Sequence, residues 1–366
     1  LLERQKEDKN MTSFVLEKDV IDFHHAAQKF LRGEMSAEEF RPIRLLHGVY
    51  QQRQADLYML RLKIPQGNLT AYQLERTARF VEEFAHGEAH LTTRQDIQLY
   101  GLTLKEVCRV IYLLYKSGIT TREASGNVVR NITACHLTGI CTKEVFDVTP
   151  YAELLTHSLL RHPSFQQLPR KFKIAFSACD SDCAYTSIHD LGFIAQERNG
   201  RRGFKVVIGG GLGAVPKKAQ VLEEFIPCES LIPATYAVLR IFNKLGSRSS
   251  KAVARLKFLV EKLGIETFRK YFYQEKDSNK DKEIIPPLSK DTEYKPFLDG
   301  PACNIAQDKD FLRWKNTNTH PQIQCGFFYV EAVVPLGNLT ADQMRAIAKV
   351  SRFYSDGSIR LTNRQN

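Results

Sequence analysis

Eight cysteines stand at positions 108, 135, 141, 179, 183, 228, 303 and 325. Four of them form two pairs, Cys135-x5-Cys141 and Cys179-x3-Cys183, with thirty-seven residues between the pairs. Two such pairs let two loops present four thiolates to one centre, the arrangement a cubane iron–sulfur cluster needs. Zinc is the nearest competitor, although its structural sites favour about two to four residues between paired cysteines. Inert buried cysteine is the third reading, because free cysteine packs as a small hydrophobe. The charged opening residues 1–10 carry no apolar segment of a secretory signal, so the expected compartment is the cytosol, where thiols stay reduced.

A second set of chemistry-bearing residues is cationic. Residues 57–65 alternate, with Tyr58, Leu60, Leu62 and Ile64 on one face, and Arg61 projects from the other. Lys171 and Lys173 lie two apart on an expected strand and share the face opposite Phe172 and Ile174. Fixed cations of this kind suit a small anion, while solvated surface charge is the bland alternative for any one of them. The whole chain of 366 residues has 52 Lys and Arg against 41 Asp and Glu, a net charge of +11. Those cations are scattered, without a long basic run or an RNA-binding aromatic signature, so nucleic acid is not an expected partner. The longest apolar stretches are interrupted well short of about 18 residues, so no membrane span is expected.

The elements that must position these residues come from a duplicated unit. Residues 67–96 align without a gap on 337–366, with twelve of thirty positions identical. In the first copy Thr70 with Gln73 makes a capping box, Leu74, Ala78, Val81 and Ala85 form one apolar stripe, and Gly87 suits the helix end. A strand at 97–100 follows, then a second capping box, Thr103 with Glu106, and a helix over 104–117 that Gly118 stops. Strands are expected at 172–176 and 204–208, one basic amphipathic helix over 249–272, and a polar linker from 274. The GGGLG run at 209–213 follows a strand but lacks dinucleotide spacing, and it reads as a close-approach turn. His189 beside Asp190 reads as structural.

The segments MLRLKIPQGN (59–68), HLTTRQDIQLYG (90–101), SGNVVRNITAC (125–135), LPRKFKIAFSACDSDC (168–183), HDLGFIA (189–195) and GFKVVIGGGLG (203–213) make the chain resemble the sirohaem-dependent nitrite/sulfite reductases. That resemblance runs from about residue 14 to the end. It implies an α+β fold: a duplicated ferredoxin-like half domain plus a larger α/β sirohaem and iron–sulfur domain, related by a pseudo-twofold repeat. It implies Arg61, Arg130, Lys171 and Lys173 as the anion-binding, catalytic quartet, and Thr92, Arg94, Gln98 and Asn131 as residues that hold sirohaem. Cys135, Cys141, Cys179 and Cys183 are implied as ligands of a [4Fe–4S] cluster. The implied reaction is six-electron reduction of sulfite to sulfide, with nitrite to ammonia as the other substrate, fed by ferredoxin or a flavoprotein reductase subunit. General features of the 168–213 region tilt the expectation to sulfite.

The resemblance divides the chain into a disordered leader 1–13, an N-terminal segment with the first half domain at 14–122, the sirohaem and cluster domain at 123–273, a linker at 274–320, and the start of a second half domain at 321–366, expected to be truncated. One departure matters. In the monomeric enzymes of the family the cations belong to the first half and the cluster cysteines to the second, whereas the first half here has both. The second-copy counterpart of Arg61 is Glu331, an acid. Either the first half binds a cluster of its own, or its cysteines are vestigial and the working cluster lies in the other half, and the acid at 331 speaks against a second, mirror-related active site. A non-catalytic sirohaem- or iron–sulfur-binding electron-transfer homologue is the alternative expectation, and a basic nucleic-acid-binding protein with a structural metal has only the net charge in its favour.

Overall fold

The computed structural model of the chain describes residues 14–278 and 308–366. The expected leader 1–13, most of the expected linker and Cys303 lie outside the described residues.

Two helices, α1 (Glu17–Leu31) and α2 (Ala37–Leu46), precede the first copy of the repeat. Ser36 and Glu39 cap α2 reciprocally, which satisfies the otherwise orphaned amides of its first turn. The copy itself is β1 (Val49–Gln51), β2 (Tyr58–Leu62), β3 (Asn68–Thr70), α3 (Ala71–Phe84), β4 (Glu88–Leu91), β5 (Ile97–Leu102) and α4 (Leu104–Lys116). Both expected capping boxes form, at Thr70 with Gln73 and at Thr103 with Glu106. The stripe of Leu74, Ala78, Val81 and Ala85 is buried as its spacing requires.

The α/β domain follows as β6 (Thr133–Ala134), α5 (Thr149–Leu159), β7 (Ile174–Ser177), β8 (Leu191–Arg198), β9 (Arg201–Ile208), β10 (Gln220–Pro227), α6 (Leu231–Leu245), α7 (Leu256–Leu263) and α8 (Ile265–Ser278). Its sheet has the order β10-β9-β8-β7-β6, parallel from β6 to β8 and antiparallel from β8 to β10. The single helix expected over 249–272 is two: residues 249–255 are not helical, and Gly264, at φ 74°, separates α7 from α8. That backbone region is open to glycine and strained for other residues. Helix α8 also runs past the expected start of the linker, to Ser278.

The second copy opens with α9 (Lys309–Asn318), inside the expected linker, and continues as β11 (Thr319–Pro321), β12 (Phe328–Val330), β13 (Asn338–Thr340), α10 (Ala341–Tyr354) and β14 (Ser358–Arg360). It sits on the first copy with twofold logic. Strand β13 pairs with β4, Asn338 opposite His90, and β14 pairs with β3, Arg360 opposite Asn68. The amide of Ala71 donates to Gly357 at 2.7 Å and that of Ala341 to Gly87 at 2.9 Å. Leu339, Met344, Ala348 and Leu361 enter the first copy's core, so the two copies share one apolar interior, while the α/β domain has its own.

Candidate functional site

Strands β6 and β7 run side by side in parallel, and the hydrogen bonding extends beyond both. Phe172 N donates to Val128, Arg130 N to Phe172 and Cys135 N to Phe176. The ladder therefore has Arg130, Lys171 and Lys173 before its strands and Cys135 and Cys179 after them. At about 3.3 Å of rise per residue, five or six residues place the cation end and the cysteine end roughly 17–20 Å apart.

At the cation end, Arg61 comes from β2 and joins Arg130: both donate to the carbonyl of Ala124, at 3.4 and 3.0 Å. Tyr50, on β1, touches both, accepting from Arg130 at 3.2 Å and lying under the Arg61 guanidinium at 5.4 Å. Burial pushes the Tyr50 phenol up, but Arg130 and Arg61 together outweigh it and leave it below the usual tyrosine range. Gln98 lies directly across from Arg61 on β5, and the amide orientation that satisfies both neighbours has its oxygen accept from that guanidinium at 3.2 and 2.6 Å and its nitrogen donate to the Tyr100 hydroxyl. Burial, followed by Arg94 and Arg255, lowers Lys173 to about 7. Burial and then Arg130 lower Lys171 as well. Among the described residues no carboxylate lies within ion-pairing distance of Arg61, Arg130, Lys171 or Lys173.

Behind this cluster stands a brace that the sequence did not announce. Asp190, fully buried, accepts from Arg255 Nε at 3.0 Å and Nη2 at 2.8 Å, and its second oxygen also takes the amide of Lys173 at 2.8 Å. Asp190 lies inside a segment that carries the family resemblance, and only the fold shows Arg255 as its partner. Gly210 packs under the same turn, where a Cβ would come within 2.5 Å of the Ser187 carbonyl and 2.7 Å of that of His189. The GGGLG run is thus a close-approach turn, as its composition suggested. His189 is held neutral by burial and then by Arg94. Its Nδ1–H donates to the Tyr185 carbonyl at 2.7 Å, so Nε2 is left to accept from Arg94.

Of the four residues expected to hold sirohaem, Arg94 is buried against Thr133, His189 and the carbonyls of Asn131 and Ile174, with Nε unpartnered. Burial lowers its guanidinium to about 10. Thr92 accepts from the amides of Arg94 and Asp96 and shapes the turn, and Asn131 donates to the carbonyls of Ile64 and Arg94. Cations with no carboxylate ion-paired to them, together with an unsatisfied buried guanidinium nitrogen, are a donor set that fits a polycarboxylate macrocycle and a small anion.

At the other end Cys135 and Cys183 share a hydrogen bond. Cys135 keeps the proton and is raised by it and by burial, whereas Cys183 is lowered, chiefly by that bond and then by Arg364. Cys179 lies within electrostatic reach of Cys135, and Tyr329 within reach of both Cys141 and Cys183. Among the described residues no three His, Cys, Asp or Glu side chains are gathered closely enough for a single metal ion. A cubane places each thiolate on a different iron, and four thiols spread around one loop pair fit that group better than zinc. No helix among the described residues is long and apolar enough to cross a membrane.

A profile for the nitrite and sulphite reductase 4Fe-4S domain matches residues 125–281, and one for the nitrite/sulfite reductase ferredoxin-like half domain matches 50–116 and again 320–366. The chloroplastic ferredoxin–nitrite reductase of Arabidopsis thaliana is 27% identical, over 100% of this chain and 61% of its own. The assimilatory ferredoxin-dependent nitrite reductase of Haloferax mediterranei is 32% identical, over 87% of this chain and 56% of its own. This chain thus spans less than two thirds of the length of these relatives. Among solved structures, the NirA protein of Mycobacterium tuberculosis shares the fold, with a TM-score of 0.75 at 24% identity over 93% of this chain and 63% of that one.

Proposed function

Since the chain belongs to the nitrite and sulfite reductase family, whose cofactors are sirohaem and a 4Fe–4S cluster, we propose that it serves the six-electron reduction of nitrite to ammonia, with ferredoxin as donor. Nitrite takes precedence over sulfite because the relatives named above are nitrite reductases. A cytosolic setting belongs to the same proposal. The observation that carries it is the grouping of Arg61, Arg130, Lys171 and Lys173 at the head of β6 and β7, none of them ion-paired to a carboxylate among the described residues.

Sirohaem, when bound, supplies the iron at which nitrite is reduced, and the cluster supplies a path for electrons. The remaining chemistry falls to side chains. Arg61 and Arg130, fixed by the Ala124 carbonyl and Tyr50, hold the anion's oxygens without reorganising. Lys173, lowered to about 7, is divided between its two protonation states near neutrality and can give a proton at Nζ to a departing oxygen. Arg94, through its unpartnered Nε, and the turn formed by Thr92 would hold the macrocycle's carboxylates, Gln98 fixes Arg61, and Asn131 keeps the Arg94 backbone in place. Cys135, Cys141, Cys179 and Cys183 are the thiolates for the cluster.

Anaerobic loading of the chain with sirohaem, followed by titration of its visible bands with nitrite, tests this. Saturable nitrite-dependent shifts that weaken at least tenfold in Lys173→Met are expected. Absence of haem-like absorption, or the same nitrite affinity in the variant, would overturn the reading.

A further inference from the structure

The internal duplication relates positions 270 apart, so Arg94 corresponds to Arg364, Thr92 to Thr362, His90 to Arg360 and Arg61 to Glu331. The first-copy members attend the cation end of the β6–β7 pair, where Arg61 and Arg130 share a carbonyl and Arg94 stands behind Lys173. The second-copy members attend the cysteine end. Arg360 donates to the carbonyls of His136 and Thr138, Ile323 N to Ile140 at 2.9 Å, Gln324 to Gly139 at 2.8 Å, and Asn363 to Cys183 at 2.8 Å. Backbone carbonyls between Cys135 and Cys141, and that of Cys183 itself, are therefore fixed by the second copy. Arg364 hydrogen-bonds Tyr185 and lies within electrostatic reach of Cys183 and Glu331.

From this we infer that the second copy does not rebuild the first copy's anion site but straps the cysteine loops as a separate site, with Arg360 as the residue that positions them. The inference rests on the cluster reading given above and goes beyond it. Two features decide it. The carboxylate of Glu331, 4.0 Å from His136 Nε2, occupies the repeat position that Arg61 fills in the first copy, and an acid there repels an oxyanion. The arginines that remain, Arg360 and Arg364, are committed to loop carbonyls and to Tyr185, where they offset the negative charge of thiolate ligands. The second copy is thus a strap for a cluster, and its Arg360 is a positioning residue.

The test is anaerobic reconstitution of the whole chain with iron and sulfide, read as iron and acid-labile sulfide per chain and as the electron paramagnetic resonance of the reduced protein. Arg360→Ala should lose iron severalfold while keeping the wild-type circular dichroism, and Arg360→Lys should recover part of it. Arg61→Ala should load as the wild type does, and nitrite or phosphate should leave the cluster's resonance unmoved. Equal iron loss in Arg61→Ala and Arg360→Ala, or a resonance that shifts with the anion, would overturn the separate site and leave the cluster reading standing. Failure of the wild-type chain to take up iron would overturn both.

Discussion

One pair of parallel strands is finished by different means at its two ends. At the head of β6 and β7 the charged groups are braced from within their own domain, by Asp190 gripping Arg255 and the Lys173 amide. At the foot, the loops that carry the cysteines are held from outside, by side chains of the second repeat copy. The first arrangement ties the anion site to the stability of the α/β domain. The second ties the cysteines to the docking of another unit. On the proposed reading, the two ends of one strand pair support two chemistries that are disturbed independently.

The largest effect that separates the ends should come from Asp190→Ala. Removing one partner of a buried ion pair strands the Arg255 charge, at a cost of about 3–5 kcal/mol in urea unfolding. A loss under about 1 kcal/mol would mean that the brace is not what holds the cation end.

Next comes Lys173→Met, which should weaken nitrite binding by about 1.5–3 kcal/mol, roughly ten- to a hundredfold in Kd by calorimetry. A Kd within twofold of wild type would remove Lys173 from the site.

The pH dependence sharpens the same point. Burial, then Arg94 and Arg255, lower Lys173 to about 7 from 10.5, so above pH 7 the folded chain lacks a proton that the unfolded chain keeps. Its contribution to the stability of the anion-free protein therefore rises with pH from about 7 to about 10.5. A bound anion favours the charged lysine, so nitrite affinity should fall above pH 7, by up to about tenfold per pH unit. An affinity flat from pH 6 to 9 would assign the proton elsewhere.

The smallest effect belongs to the strap. Asn363→Ala removes one hydrogen bond, to the Cys183 carbonyl, and should cost about 1 kcal/mol, with nitrite affinity unchanged at the far end. A change in nitrite affinity would show that the two ends communicate.

Local rules made much of this architecture legible. The capping boxes at Thr70 and Thr103 formed because reciprocal hydrogen bonds over four residues need no tertiary help. The duplication announced itself by identity, and the cation and cysteine sets by spacing and resemblance. The separation of those sets did not, although both flank the same two strands, because spacing along a chain says nothing about which end of a strand faces which neighbour. Tyr50, Asp190 with Arg255, and Arg360 escaped for the same reason: each acts on residues far away in sequence. The apolar periodicity that suggested one helix over 249–272 runs on through Gly264, where a positive φ breaks the rod between two helices that both bury apolar residues.

The exchange of strands between the two copies has a consequence for how the molecule behaves among others of its kind. Strand β13 covers β4, and β14 covers β3, each through three residue pairs. An uncovered strand presents a row of free amides and carbonyls on which another chain can continue the sheet. Because the covers are reciprocal, lifting the second copy bares β3 and β4 together. Self-association by edge-to-edge growth would then start at residues 68–70 and 88–90, so in this protein colloidal behaviour is set by the seating of one copy on the other.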